Sequence, residues 1–417
     1  MFRVPTPCLP VVALFIWTFL ALHSAPINSA KAAAPLYTIT DITPIGYTSS
    51  MAFDINSSGD AVGIASRFAP SFEEVFFFYD HSAGTSTPIG IGTVQPRSSI
   101  VSSSGFSRAA INDSGQIAGT ARFLGPGPTE SRGFIYSGGI AGSFTNLGTF
   151  VPTGVRPSSD ALDINDSGVA TGTATSGAGT TPQENDNIDA YIGSASPITD
   201  IDGDVTVATR RDFGRAINNA GLVVGSNESG VAASFTTTTE TAFLSGTSLS
   251  GVGSTAHDLN EVGQITGDTL TSTSYIYDTT DSSLRILPNL GTGARVAAKS
   301  INESGDVVGV GDRGPGLSDQ GRGFVHIHAD NASYLLEDHI VDLTFPAGTN
   351  PGNWTELRTA WGINDSGWIV GQGFRRFDGA GFPNQRAYLL VPSTIPEPST
   401  VALLLLATIS LSTYRRR

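Results

Sequence analysis

Two short stretches hold residue types able to do chemistry at close spacing. In FVHIHADN, His326 and His328 stand two apart, so on a strand both imidazoles share one face, and Asp330 continues the alternation if the strand does. Two imidazoles make half a metal site, which needs a third ligand; the plainer expectation is a pair of solvated strand histidines. In DINDSG, Asp163 begins a run of alternating oxygen ligands before a glycine, as in a calcium loop. Asp54, Asp163 and Asp258 each stand two residues before an asparagine. The matching places elsewhere hold Ala110, Ala216 (after Arg215), Ser300 and Gly362, and no closing bidentate Glu follows. No cofactor or metal is therefore expected, with calcium at the three aspartates as the alternative.

Other chemistry is sparse. The sequence has no G-x-S-x-G elbow, H-E-x-x-H, Walker loop or strand-to-helix G-x-G-x-x-G. Carboxylate pairs such as Glu73/Glu74 and Glu337/Asp338 occur, but spacing alone does not set them across a cleft. The formal net charge of −14 leaves no basic stripe to neutralise phosphates, which excludes nucleic acid as a partner and disfavours adsorption to anionic lipid.

The elements that would position any site follow from a repeat. One phrase recurs seven times: AFDINSSGDAVGIA, AAINDSGQIAGTA, ALDINDSGVATGTA, RAINNAGLVVGSN, AHDLNEVGQITGDT, AKSINESGDVVGVG and AWGINDSGWIVGQG. Its turns are Asn56 with Gly59, Asn112 with Gly115, Asn165 with Gly168, Asn218 with Gly221, Asn260 with Gly263, Asn302 with Gly305 and Asn364 with Gly367. An apolar residue before each Asn ends a strand. Asn-x-x-Gly then makes a tight turn in which Asn bonds its own backbone and Gly takes positive φ, so each phrase is a β-hairpin. A second strand closes on a further glycine, from Gly63 to Gly371. Third strands read in EVFFFYD, RGFIYS, IDAYIGS, TAFLSG, SYIYD, GFVHIHA and RAYLLV, and a fourth follows in six units.

Four strands in each of seven units predict an all-β fold, a seven-bladed β-propeller spanning residues 35–392. The seventh unit stops after its third strand, while LYTITDITPIG (36–46) reads as a lone fourth strand; pairing it beside Ala387–Val391 closes the ring. The Asn-x-x-Gly turns then lie on one face. The long loops lie on the other, where Arg67, Phe68, Arg122, Phe123, Arg375, Arg376 and Phe377 are available to stack on sugar rings or grip carboxylates. The plainer reading of these seven is stray surface residues. The sequons at Asn112, Asn165, Asn302 and Asn364 are by-products of turn chemistry.

Both ends read as processing segments. Residues 1–34 have Arg3, an apolar run from about Val11 to Leu22 and a small-x-small site at Ala30–Ala32, the pattern of a secretory signal peptide. The single Cys8 leaves with it, so neither a disulfide nor a thiol nucleophile is expected. Residues 393–417 contain Pro396, Glu397 and Pro398, an apolar stretch from about Val401 to Thr413, and Arg415, Arg416 and Arg417. That stretch is short for a full span, and the terminal arginines would halt translocation with the bulk of the chain outside.

The I-N-D-S-G-x-I-x-G phrase, its aromatic third strand and the L-G-T endings resemble the bacterial HAF extracellular repeat family. So do Leu336–Ile340 and Trp354–Leu357 ahead of the last hairpin, although His-Ala-Phe itself is not spelled out. The tail resembles the PEP-CTERM sorting signal. That resemblance implies an exosortase-type partner in a Gram-negative bacterium that makes exopolysaccharide, with transient membrane anchoring before delivery to the cell surface or extracellular matrix. The expected function is a non-enzymatic binding or matrix component that engages polysaccharide or a surface protein. The alternatives are a propeller-fold polysaccharide hydrolase or lyase, and a structural surface spacer.

Overall fold

A computed structural model describes residues 35–90, 94–96, 108–123, 131–139, 142–150, 158–175, 188–203, 210–229, 239–271, 273–290, 295–312, 321–341, 354–376 and 383–393. The expected signal peptide, the PEP-CTERM segment and most of the long loops, with Phe377, lie outside them. Among the described residues no helix is long and apolar enough to cross a membrane.

Seven antiparallel sheets form the blades of a β-propeller. The first strands of blades 1 to 7 are Ser49–Ile55, Ala109–Ile111, Ser159–Ile164, Arg210–Ile217, Thr255–Leu259, Val296–Ile301 and Trp354–Ile363. In blade 2 a separate piece, Val94–Pro96, pairs with the far end of the second strand, Ile117–Phe123. The third strands stand where the sequence places them, among them Glu73–Asp80, Arg132–Ser137, Ile188–Gly193 and Asn384–Pro392. Strand Tyr37–Asp41 pairs with the last of these, Tyr37 opposite Pro392 and Asp41 opposite Tyr388, and so supplies the fourth strand of blade 7. At this seam Asp41 takes Arg375 at 2.7 Å and Arg386 at 3.0 Å.

The repeated glycine of each second strand has a geometric cause. Six first strands bulge, at Phe53, Leu162, Arg215, His257, Lys299 and Trp361. The bulge drives a carbonyl against the glycine: a Cβ on Gly172 would stand 1.9 Å from the Asp160 oxygen, and one on Gly225 1.7 Å from that of Phe213. Opposite each glycine the third strand places an aromatic ring: Phe77, Phe134, Tyr191, Phe243, Tyr275, Phe324 and Tyr388. All seven rings are fully buried, filling the space that a side chain at the glycine would take. They anchor apolar clusters between neighbouring blades.

Each hairpin turn closes as its sequence requires. In blade 1 the Asn56 Oδ1 accepts from the Ser58 and Asp60 amides, Gly59 N donates to Asn56 O, and Gly59 has φ +85°. The asparagines are buried, and their amide nitrogens link the blades. Asn56 Nδ2 donates to Asn112 O (3.3 Å), Asn112 to Asn165 O (2.9 Å), Asn165 to Asn218 O (3.1 Å), Asn260 to Asn302 O (2.9 Å), Asn302 to Asn364 O (3.2 Å) and Asn364 to Asn56 O (2.9 Å). The asparagine chosen for turn chemistry therefore also ties the hub of the wheel.

Candidate functional site

The seven first strands surround a central channel, and the sequence loads its wall unevenly. Asp54, Asp163 and Asp258 face it from blades 1, 3 and 5. Each has both oxygens engaged by backbone. Asp54 Oδ1 accepts from Ile55 N and Oδ2 from Ile111 N of the next blade, both at 2.8 Å. Asp163 takes Ile164 N at 2.8 Å and Ile217 N at 2.7 Å, and Asp258 takes Leu259 N at 2.8 Å and Ile301 N at 2.9 Å. Each carboxylate thus bridges its blade to the next, and the Ser300 hydroxyl adds a bond to Asp258. The following blades hold Ala110, Ala216 and Ser300 at the matching place because they receive the bridge. This explains why the aspartate occurs in only three copies. Among the described residues no group of three His, Cys, Asp or Glu is placed to hold a metal.

Burial pushes these carboxyls up, Asp54 to about 7 and Asp258 to about 6, while the amide bonds pull the other way. Asp163 is likewise raised well above the usual carboxylate range, by burial and then by the charges of Asp258 and Asp54.

Beside them cations come in from two bulges, at Arg215 and Lys299, and from Arg108, which stands just before the first strand of blade 2. Arg108, Arg215 and Lys299 line the same channel with His257, Phe53 and Trp361 around a cavity of about 60 Å³. Arg108 lies 4.9 Å and Lys299 6.0 Å from the Trp361 ring centroid, and Phe53 meets that indole edge-on at 5.9 Å. Arg215 lies 5.9 Å from the Phe213 ring. Burial, then the charges of Arg108 and Arg215, draws Lys299 down to about 8. Burial likewise takes His257 to about 3, so its ring is neutral at pH 7. Its Nε2 lies 2.9 Å from Asp268 Oδ2.

Asp268 also accepts from Ser274 Oγ at 2.6 Å. Serine, aspartate and histidine thus meet, but the aspartate stands between the other two, and the serine oxygen also accepts from Ala298 N at 2.8 Å. A nucleophilic serine needs the imidazole in the middle, so this trio holds blades 5 and 6 together and activates nothing.

The other expected residues are dispersed. The strand with His326 ends at Ile327, and His328 opens a short 3-10 helix to Asp330, so the shared face does not exist. His326 is fully buried and bonds Ser333 Oγ at 3.2 Å, which corrects the expectation of a solvated pair. On the long-loop face Phe68 and Phe72 are exposed, with ring centroids 5.4 Å apart and planes tilted by 49°, and Arg67 pairs with Glu73 at 2.6 Å. Arg122 and Arg376 are exposed, whereas Arg375 belongs to the seam. The channel cations went unnoticed in the sequence. For Arg215 and Lys299 the signal was the place three before each Asn, which holds Phe53, Ala109, Leu162, Arg215, His257, Lys299 and Trp361 in turn, whereas Arg108 stands four before Asn112.

Fold and site together define a seven-bladed propeller whose hub is a narrow, cation-lined channel braced by aspartate bridges. A family model described as a protein of unknown function (DUF3466) matches residues 28–155. No curated protein sequence matches the chain significantly. Among solved structures it is similar to a puromycin hydrolase, at 12% identity and a TM-score of 0.49, over 84% of this chain and 52% of that one. It thus spans about half that enzyme's length. It is also similar to TolB from Acinetobacter baumannii (12% identity, TM-score 0.34, 84% and 65% of the two chains). A third is the GH93 α-L-arabinofuranosidase of Fusarium graminearum (10% identity, TM-score 0.34, 86% and 97%). Likeness at this level assigns no activity to the chain.

Proposed function

We propose that this protein is an exported, non-enzymatic propeller of the cell surface or extracellular matrix that binds exopolysaccharide or a surface partner. In this reading residues 1–34 direct export, and an exosortase-type enzyme processes the tail from Pro396 to Arg417. The observation that carries the non-enzymatic part is the structural use of the channel carboxylates. Asp54, Asp163 and Asp258 each accept backbone amides of two blades, one on each oxygen, so all three are fixed as bridges between blades. The exposed Phe68–Phe72 pair beside Arg67 suits a sugar-stacking surface on the long-loop face. Pull-down of the purified protein with envelope polysaccharide tests the binding, and no retention would refute it. Intact mass of the protein from medium and membranes tests the tail: a mass that retains residues 399–417 would refute processing.

One observation favours a second reading, a polysaccharide hydrolase or lyase. Asp54 and Lys299 line one cavity, and burial moves the carboxyl up to about 7 and the amine down to about 8, so groups able to take and give a proton near pH 7 share that space. Release of reducing ends or unsaturated sugars from the same polysaccharide would establish it over the first.

A further inference from the structure

The central channel gathers three cations that feel the charges of its carboxylates, Arg108 those of Asp258, Asp163 and Asp54, while those carboxylates spend their described hydrogen bonds on backbone amides and Ser300. Arg108, Arg215 and Lys299 come from blades 2, 4 and 6 and converge on one small cavity, where their nearest described partners are the rings of Trp361 and Phe213. The three aspartates beside them direct their oxygens at backbone amides instead. Two donors in this wall, Arg215 Nε and Trp361 Nε1, are buried without an acceptor, and His257 Nδ1 is buried without a partner. Since Nε2 of the neutral imidazole faces the Asp268 carboxylate, Nδ1 is left as an acceptor. Buried polar groups are rarely left this way unless something else completes them.

We propose that the channel is a binding site for a carboxylate that carries a neighbouring hydroxyl, a small hydroxy acid or the uronic acid end of a saccharide. The carboxylate supplies oxygens to the unpaired donors and neutralises the three cations, and the hydroxyl gives His257 Nδ1 its donor. A cavity of about 60 Å³ admits the acid group and its adjoining carbon, while any sugar ring stays outside. The anion enters from the long-loop side. The turn side is fringed by Asp113, Asp166, Glu261, Glu303 and Asp365, each at the place following a hub asparagine, and this fringe repels anions. The proposal needs only the channel; the saccharide as source rests on the binding function proposed above.

The test is titration of the full secreted protein, in low-chloride buffer, with glycolate, glucuronate, glucose and sulfate, followed by calorimetry and tryptophan fluorescence. Glycolate and glucuronate are expected to bind with a fluorescence change that Trp361→Phe removes, and glucose to give none. Glycolate alone supports a free acid as ligand, and glucuronate alone a saccharide end. Lys299→Met relieves repulsion among like charges, so it folds; it should weaken binding about tenfold or more, as expected for a lost charged contact. No binding by either acid, sulfate binding as tightly as both, or affinity unchanged in Lys299→Met overturns the proposal. Because glycolate is not a sugar, failure of polysaccharide pull-down with retained glycolate binding refutes the saccharide source and leaves the channel site standing.

Discussion

The Asn364 side-chain amide donates to the main-chain carbonyl of Asn56 at 2.9 Å, across 308 residues of sequence. The same side chain accepts from Ser366 N at 3.1 Å and Trp368 N at 3.0 Å, so one buried residue both shapes its turn and closes the hub. Asn364→Ala is expected to destabilise by about 2–4 kcal/mol, because the buried Asn56 carbonyl and two part-buried amides of the turn lose partners. Asn364→Asp keeps the acceptor for the turn amides but turns a buried carboxylate oxygen on the Asn56 carbonyl, so at pH 7 it should lose at least as much. Urea unfolding midpoints of the two variants check the order.

Gly172 and Gly119 occupy the same place in blades 3 and 2 but have different neighbours. A Cβ at 172 meets the Asp160 oxygen at 1.9 Å, whereas one at 119 meets the Phe134 ring at 2.8 Å and backbone only at 3.6 Å. A ring edge shifts and a bulged carbonyl does not. Gly172→Ala should exceed about 4 kcal/mol and abolish soluble folding, and Gly119→Ala should fall in the range of about 1–3 kcal/mol. Soluble yield and melting temperature separate them.

Asp41 holds the seam. Burial alone would raise its carboxyl, but the Arg386 charge and the bonds from Thr43 and Arg375 outweigh it and keep it below the usual range. A lowered carboxyl stabilises the folded state above its unfolded pKa, and that stability is lost as pH falls through the folded value. Asp41→Asn should therefore destabilise by about 3 kcal/mol at pH 7, leaving Arg375 and Arg386 without their anion, and the gap from wild type should close as pH falls below 4. Equilibrium unfolding across that range is the check.

The channel groups act with the opposite sign. Asp54 and Asp258 have raised carboxyls, so their contribution is complete below pH 4 and is lost as pH rises through about 6 to about 7. Lys299 is lowered to about 8 from its usual 10.5, so folding gains as pH climbs between those two values. Lys299→Met should flatten the alkaline rise while leaving the acid-side slope in place. Unfolding midpoints from pH 4 to pH 10 read both limbs.

Strand count, blade count and the closing strand were legible because each rests on local pattern: a turn signal, an alternation and an orphan strand at 36–46. The hub was less so. That Asn112 reaches the carbonyl of Asn165 depends on ring closure, and nothing within one repeat announces it. His326 misled because two-residue spacing implies a shared face only while the strand lasts, and it ends at Ile327. Two of the cations were hidden for a related reason. A bulge turns Arg215 and Lys299 into the channel, and an extra residue in a first strand shows in pairing register and not in composition.

Those aspartate bridges carry an arithmetic consequence. Bridge-giving and bridge-receiving blades alternate with period two, and the ring has an odd number of members, so the pattern cannot run round it without a fault. The fault falls where Ser300 of blade 6 is followed by Gly362 of blade 7. A Cβ on Gly362 would stand 3.1 Å from the Asp54 Cα and 3.3 Å from its Oδ1, so a side chain there would crowd the bridge that blade 1 gives. Parity thus leaves this wheel one blade that neither gives nor receives a bridge, whereas a ring of six or eight such blades would leave none.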